Sequence, residues 1–213
     1  MHALIVVGHH DPLSLTHALA GQLAEGLASA GHTSEIADLA SEGFDPRFSV
    51  ADHAVHRRLA APPADVLREQ ARIERADALV LVYPIYWWSL PALLKGWVER
   101  VFSNGWAFDY EGGKTVKKLR GMKVHLVGIA GADAGTFARH GYGEAMRVQI
   151  EHGIFDYCGA EVLSSTLLED SEGPAASSLL PAARRVGERM FNLSPTTATA
   201  PAASIGPCAI HRA

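Results

Sequence analysis

Cysteine is scarce in this sequence of 213 residues. Only Cys158 and Cys208 are present, and no C-x-x-C spacing occurs. A disulfide framework and a structural zinc site are therefore disfavoured. Basic residues are not in excess either, because 19 Lys and Arg face 23 Asp and Glu for a formal net charge of −4. Since they form no basic stripe, no nucleic acid is expected as a partner.

The sequence also has no long apolar segment. No run approaches the roughly 20 residues that a transmembrane helix needs, so no membrane span is expected. Residues 1–7 show no basic stretch followed by a long apolar one, so no signal peptide is expected. These features predict a cytoplasmic protein. The composition, 48% hydrophobic and 20% charged, is typical of a globular domain.

Several well-known motifs are missing as well. There is no G-x-G-x-x-G for a Rossmann dinucleotide site, no G-x-S-x-G nucleophile turn and no H-E-x-x-H zinc site. Residues 113–115 (GKT) match the end of a P-loop, but Phe108 stands where that loop needs its first glycine. His9 and His10 are adjacent, yet no further metal ligand is evident, so no metal site is predicted.

What the sequence does contain is an alternation of strand and helix patterns. Strands are predicted at five short segments, most of them apolar throughout: residues 3–7, 33–38, 78–83, 123–129 and 161–167. Helices are predicted at residues 15–30, 64–76, 91–102, 144–157 and 179–191. Such an alternation is typical of a parallel sheet with helices on both faces. The expected fold class is α/β, a flavodoxin-like doubly wound sheet of five parallel strands in the order 2-1-3-4-5.

The remaining segments are expected to lack regular structure. Residues 40–63 are predicted to be irregular, residues 103–120 to be rich in turns, and residues 130–143 to form a loop. The predicted domain covers residues 1–193. Residues 194–213, rich in Pro, Thr and Ala, are predicted to form a disordered tail.

Three loops follow strands and should meet at one edge of the sheet, where such folds bind ligands. The first, residues 8–16, leads into a helix N-terminus, whose free N–H groups and positive dipole end suit a phosphate. His9, Ser14 and Thr16 add polar side chains there. The alternative is that Ser14 only caps the helix.

The second loop, residues 84–90, contains three consecutive aromatic residues, Tyr86, Trp87 and Trp88. Aromatic rings at this edge would cover a flat ligand such as the isoalloxazine ring of a flavin. The alternative is that these rings belong to the core or to a dimer interface.

The third loop, residues 130–143, contains four glycines, which let the backbone approach a ligand closely. Its N–H groups near Gly131 and Ala132 would stabilise the negative charge that reduction places on the N1/O2 edge of a flavin. His140 and Tyr142 follow and are candidates to donate a proton to an acceptor. The alternative is an ordinary glycine-rich turn.

The segment YPIYWWSLPALLKGWVERVF, residues 83–102, is the most specific part of the sequence. With the opening LIVVGHHDPLSLTHAL, residues 4–19, it resembles the NAD(P)H:quinone oxidoreductase (DT-diaphorase-like) flavoproteins and their bacterial relatives. Further landmarks of that family match at residues 44–46 (FDP), 108–110 (FDY) and 155–159 (FDYCG), and the resemblance covers residues 3–191.

The resemblance implies an enzyme that takes hydride from NAD(P)H and passes it, through flavin N5, to a quinone-like or other flat electrophilic acceptor in two separate (ping-pong) steps. It favours FAD as cofactor, with FMN as the alternative, and a homodimer with its sites at the interface. It places phosphate contacts on His9, Ser14, Leu15 and Thr16, isoalloxazine contacts on Pro84, Ile85, Tyr86, Trp87 and Trp88, pyrimidine contacts on Ala130, Gly131 and Ala132, and the acceptor pocket at Phe108, Tyr110 and Phe137.

The sequence departs from the family pattern at some of these positions. Thr16 replaces a common Asn, and Phe137 stands where a Tyr frequently assists proton transfer. We therefore expect Tyr142 and His140 to act as the catalytic proton donors. Two other functions stay open at this point, a one-electron flavodoxin-type carrier and a regulatory ancillary flavoprotein of a potassium efflux system, because both share the fold. The sequence specifies neither the physiological acceptor nor the choice between NADH and NADPH.

Overall fold

A five-stranded parallel sheet forms the centre of the computed structural model, which describes residues 1–173 and 176–192. Numbered along the described residues, all strands inside and outside this sheet are β1 (His2–Val7), β2 (Thr33–Asp38), β3 (Ala78–Pro84), β4 (Phe108–Glu111), β5 (Lys114–Lys117), β6 (Lys123–Ile129) and β7 (Glu161–Leu168). The order across the sheet is β2-β1-β3-β6-β7, which confirms the predicted 2-1-3-4-5 arrangement. The strands β4 and β5 form a separate antiparallel hairpin. The predicted tail, residues 194–213, lies outside the described residues.

Helices cover both faces of the sheet. They are α1 (Leu15–Ser29), α2 (Val50–His56), α3 (Ala64–Glu74), α4 (Ala92–Val101), α5 (Ala134–His140), α6 (Tyr142–Met146), a π-helical segment (Arg147–Asp156) and α7 (Leu179–Arg189), with 3-10 turns at Ala176–Ser178 and Met190–Asn192. Across the described ranges, no helix is both long and apolar enough to cross a membrane.

The alternation of side chains along the central strands explains why they are apolar throughout. In β1, Leu4 and Val6 face a core shared with α4, while Ile5 and Val7 face a second core shared with α1 and α7. All four side chains are fully buried. Because each contributes about 1.5–3 kcal/mol on burial, the two-sided packing fixes β1 in the middle of the sheet.

Residues 40–63, predicted as irregular, contain the short helix α2. Ser49 Oγ accepts the N–H of Asp52, and the Asp52 carboxylate accepts the N–H of Ser49, which forms a capping box. The same carboxylate accepts hydrogen bonds from Arg100 Nε at 3.1 and 3.2 Å. The helix is thus fixed by its own cap and by a buried arginine of α4.

Four other segments differ from the prediction. The turn-rich segment 103–120 holds the β4–β5 hairpin, whose turn uses Gly112 and Gly113 with φ of 57° and 78°. The loop 130–143 contains α5, and the helix predicted at 144–157 starts at Tyr142 and continues as the π-helical segment. Pro91 is the N-cap of α4 rather than its first helical residue, since its ψ of 153° is extended and not helical.

Candidate functional site

The loop between β1 and α1 packs tightly against α4. The Gly8 N–H donates to Val82 O at 3.0 Å, and a Cβ at Gly8 would lie only 2.9 Å from Leu94 Cβ. His9 Nδ1 accepts the Asp11 N–H at 3.0 Å, so the ring proton sits on Nε2. Burial, then the neighbours His10 and His17, lower the pKa of His9. His9 therefore offers a neutral Nε2–H donor at this end of α1.

The predicted phosphate contacts meet at the N-terminus of α1. Ser14 is the N-cap, and its Oγ accepts the His17 N–H at 3.4 Å. The N–H groups of Leu15 and Thr16 have no acceptor within the described chain, as expected for a first helical turn. Leu15 has an apolar side chain and Thr16 is buried, so we expect an anion at this helix end to be held by N–H groups of the first turn rather than by these two side chains.

Sequence reasoning missed two residues at this helix end, His17 and Asp38. His17 Nε2 lies 2.9 Å from Asp38 Oδ2, and His17 Nδ1 lies 2.8 Å from Ser14 Oγ. Burial alone would raise the pKa of Asp38, but hydrogen bonds from Ser41 and His17 outweigh it and hold that pKa below its ordinary value. Asp38 is the last residue of β2, so its position beside α1 depends on the pairing of β1 with β2. No local sequence pattern predicts this contact.

The second predicted loop forms a tight two-residue turn, which we call the aromatic turn (residues 86–89). Tyr86 and Ser89 exchange backbone hydrogen bonds of 3.2 and 3.1 Å, and the two central residues, Trp87 and Trp88, have φ of 50° and 58°. Such a type I′ turn normally holds Asn and Gly. Two tryptophans in left-handed conformation cost about 1–3 kcal/mol each, a strain found mainly at functional sites.

Packing from α5, α6 and the π-helical segment holds the aromatic turn in place. Trp88 stacks on Tyr142 with ring centroids 3.7 Å apart, and it meets Phe137 edge to face at 5.4 Å. His140 stacks beside Tyr142 at 5.1 Å. Ser89 Oγ donates to Gln149 Oε1. Trp87, in contrast, is 93% exposed.

The aromatic turn and the third loop face each other across one cavity. This cavity, which we call the aromatic cavity, has a volume of about 190 Å³ and is lined by Ile85, Trp87, Trp88, Ala130, Gly131 and Ala132. The carbonyls of Ala130 and Ala132 accept N–H groups from Ser171 and Asp170, at 3.0 and 3.3 Å. The N–H groups of Gly131 and Ala132 have no acceptor among the residues described, and so remain available to a ligand.

Two residues that were predicted to border the pocket for the electron acceptor lie away from the aromatic cavity of the same chain. Phe108 lines a second cavity of about 100 Å³, together with Phe48 and Asp52, and its ring meets Tyr157 at 5.4 Å. Tyr110, on the β4–β5 hairpin, is 63% exposed. The structure therefore brings Phe137, His140 and Tyr142 to the aromatic turn, but not Phe108 or Tyr110.

Titratable side chains do not form a metal centre at this edge. His9 and His10 stack on each other with ring centroids 4.6 Å apart. Over residues 1–173 and 176–192, no group of three or more His, Cys, Asp or Glu side chains could hold a metal ion.

Comparison with known proteins identifies relatives that cover most of the chain. A family model described as flavodoxin-like fold matches residues 1–190. The chain is 30% identical over 181 residues to a Mus musculus ribosyldihydronicotinamide dehydrogenase [quinone], covering 76% of this chain and 78% of the relative. It is 28% identical to NAD(P)H dehydrogenase [quinone] 1 of Cavia porcellus, covering 78% and 67%.

A solved structure shows the same relationship. The NAD(P)H:quinone oxidoreductase from Methanothermobacter marburgensis superposes with a TM-score of 0.80 at 29% identity, over 90% of this chain and 97% of that one. The sheet order, the loops that meet at its edge and these relatives agree. The chain belongs to the flavodoxin-like fold family and, within it, to the NAD(P)H:quinone oxidoreductases.

Proposed function

We propose that the protein is a flavin-dependent oxidoreductase that takes hydride from NAD(P)H and delivers it to quinone-like or other flat electrophilic acceptors. The observation that carries the proposal is the aromatic cavity, where two strained tryptophans face two backbone N–H groups without acceptors. A site with a flat apolar wall on one side and fixed donors on the other fits a ring that is apolar on its faces and polar at one edge.

The residues present fit the phosphate and the isoalloxazine ring of a flavin. The N–H groups of Leu15 and Thr16, with His9 Nε2–H, would hold the phosphate. Ile85, Trp87 and Trp88 would contact the isoalloxazine ring. The N–H groups of Gly131 and Ala132 would bond its pyrimidine edge. When bound, the flavin supplies the reversible acceptance of hydride at N5.

The side chains around the aromatic cavity would exclude water, position the donor and the acceptor, and supply a proton. Trp87, almost fully exposed, would close over the nicotinamide or the acceptor and exclude water. Donor and acceptor would use this one position in turn, because each must reach the same N5 atom of the flavin. Tyr142, with His140 stacked beside it, would donate the proton that the reduced acceptor oxygen requires.

A homodimer is part of the proposal. Large apolar side chains are exposed on α2, α3 and the segments beside them: Phe48, Val50, Leu59 and Leu67. Burying such side chains against a second copy would remove apolar surface from water. In a dimer, Phe108 and Tyr110 would border the aromatic cavity of the partner. Light scattering on the purified protein, with Val50→Lys as the variant, tests this, and a monomeric wild type would contradict it.

The test of the proposed activity is a visible spectrum of the purified protein, recorded anaerobically before and after NADPH or NADH. We expect flavin bands that bleach completely and return when a benzoquinone is added. A protein that is colourless and takes up neither FAD nor FMN would refute the proposal. Chromatography of the released cofactor distinguishes FAD, which we propose, from FMN.

A further inference from the structure

Three side chains form a hydrogen-bonded chain at the N-terminus of α1. Asp38 Oδ2 contacts His17 Nε2 at 2.9 Å, and His17 Nδ1 contacts Ser14 Oγ at 2.8 Å. The chain is shielded, because the side chains of His17 and Asp38 are only 16% and 20% exposed. It ends at the hydroxyl that lies beside the N–H groups of Leu15 and Thr16, where the phosphate is proposed to bind.

In the neutral form of His17, the proton positions follow from the partners. The ionised Asp38 carboxylate only accepts, so His17 Nε2 carries the ring proton and donates it. Nδ1 is then an acceptor, and the Ser14 hydroxyl must donate to it. The hydroxyl proton is thus used within the protein, and Ser14 presents oxygen lone pairs to the phosphate position, which repels an anion.

In the protonated form of His17, the direction of the second hydrogen bond reverses. Both ring nitrogens donate, Nε2–H to Asp38 and Nδ1–H to Ser14 Oγ. Ser14 Oγ already accepts the His17 N–H, so its own proton is free to rotate outward. The helix end then offers a hydroxyl donor together with an added positive charge, and both favour a phosphate.

We propose that His17 is a proton-linked positioning residue for the flavin phosphate, taking up a proton when the phosphate binds and thereby turning the Ser14 hydroxyl toward it. The inference rests on the proposed function, because it takes a flavin as the ligand. Linkage requires the reciprocal effect: if phosphate favours protonated His17, affinity for the phosphate falls as pH rises.

Other titratable groups surround His17 and must be separated from it. His9 meets His17 edge to face with ring centroids 6.2 Å apart, and His10 stacks on His9. Asp11 lies beside His9 in the same loop, and Asp38 faces His17 from the end of β2. His9 lies against His17 but makes no hydrogen bond to Ser14 or Asp38, which makes His9 the matched control.

The test measures flavin binding to the full chain, freed of its flavin, by titration calorimetry between about pH 7.5 and 9, where a phosphate with a second pKa near 6 keeps its charge. Buffers of different ionisation enthalpy give the protons taken up. We expect affinity for FAD and FMN to fall by up to about tenfold per pH unit, with up to about one proton taken up per flavin. Riboflavin, which has no phosphate, is expected to bind without this dependence.

Variants assign the proton to its residue. His17→Gln keeps a hydrogen-bonding side chain but cannot titrate, so its affinity for FAD and FMN is expected to be independent of pH. Asp38→Asn keeps an acceptor oxygen for the N–H groups of Ala40 and Ser41, and should shift the dependence to lower pH. His9→Gln loses a proposed phosphate donor, so it is expected to bind flavin more weakly while it keeps the wild-type slope.

Several results would overturn the inference while leaving the proposed function intact. One is wild-type protein that binds flavin with no proton uptake, and another is a riboflavin slope equal to that of FMN. A third is a slope lost in His9→Gln but kept in His17→Gln. Absence of binding of every flavin by the wild type would instead refute the proposed function and, with it, the inference.

Discussion

Trp88 and Tyr142 lie face to face, with ring centroids 3.7 Å apart and planes inclined by 11°. Trp88 belongs to the aromatic turn after β3, and Tyr142 begins α6, so this stack joins two loops of the site. The contact gives Tyr142 two separable roles. Its ring supports Trp88, and its hydroxyl is the proposed proton donor.

Removing only the Tyr142 hydroxyl separates the two roles. In Tyr142→Phe we expect unchanged flavin affinity and an unchanged rate of flavin reduction by NADPH, because the stack is kept and hydride transfer to flavin needs no acid from this residue. Reduction of a benzoquinone should slow by about 10²-fold or more, the usual contribution of a positioned acid. Stopped-flow absorbance follows both half-reactions.

Removing the whole ring should have a different effect. Tyr142→Ala loses a stack that contributes about 0.5–1.5 kcal/mol, so flavin affinity should fall by roughly two- to tenfold. His140→Gln is the comparison for the hydroxyl. If it slows quinone reduction and Tyr142→Phe does not, the proton comes from His140, and Tyr142 is only a support.

Trp87 should lower the stability of the fold and increase the affinity for flavin. In Trp87→Gly the left-handed φ of 50° becomes unstrained, and almost no buried surface is lost because the side chain is 93% exposed. We expect the free energy of unfolding of the flavin-free protein to rise by about 1 kcal/mol. Flavin affinity should fall by about two- to tenfold, the range for one aromatic contact. Urea unfolding and fluorescence titration measure the two effects.

Arg58 provides the control for backbone strain outside the site. It also has a positive φ, 61°, and its exposed side chain contacts the partly buried Asp109 in an ion pair of 3.4 Å. Arg58→Gly should likewise not destabilise the protein, and it should leave flavin affinity unchanged. Equal losses of affinity in both variants would mean that Trp87 makes no specific contact with the ligand.

The parts of the fold that sequence predicts are those with strong local patterns. The apolar strands and the leucines of α1 at every fourth position were sufficient to predict the strand order of the sheet. Strands that are buried on both faces are compatible with few strand orders. The helix α2 was missed although Ser49 and Asp52 have capping spacing, since no apolar stripe follows them. The π-helical segment 147–156 has no sequence signature of this kind.

Contacts across the site were harder to predict than the loops that carry them. The three loops were found because they follow strands, and the aromatic turn and Gly131 do line one cavity. The pairing of His17 with Asp38 depends on the register of β1 and β2. The left-handed φ of Trp87 and Trp88 contradicts residue preference, and tertiary packing overrides it there.

Gly131 should be needed for ligand binding rather than for folding. A Cβ there would meet Glu172 Oε1 at 3.4 Å, an ordinary contact, so Gly131→Ala should change the free energy of unfolding by less than about 0.5 kcal/mol. Because Gly131 lines the aromatic cavity, an added side chain limits how closely a ring can approach its N–H, and flavin affinity should fall by about tenfold, the cost of roughly one hydrogen bond.

Gly8 is the matched control for Gly131. At Gly8 we expect an added methyl group to lower the stability of the fold. A Cβ at Gly8 would approach Leu94 Cβ to 2.9 Å, so Gly8→Ala should destabilise the protein by about 1–3 kcal/mol. Thermal unfolding of both variants without flavin, followed by flavin titration, separates the two effects. A Gly131→Ala protein that binds flavin as the wild type does would show that the pyrimidine edge is not held there.

His125 should make the protein less stable in mild acid. Its ring is fully buried in β6, Nδ1 contacts Ser164 Oγ at 2.8 Å, and Nε2 has no partner in the described part of the chain. Burial, with a smaller effect of Lys123, lowers the pKa of His125 to about 4.

The sign of the pH effect follows from where the proton binds first. In the unfolded chain a histidine titrates near ~6.5, so acid protonates the unfolded state before the folded one. The contribution of His125 is therefore present above about pH 6.5 and lost as pH falls toward 4, by about 3 kcal/mol in total. Urea unfolding between these two pH values measures it, with His125→Leu as the control that should lose this part of the dependence. If the free energies of unfolding of the wild type and of His125→Leu fall in parallel with pH, the prediction is wrong. His125 would then gain its proton as easily in the folded protein as in the unfolded chain.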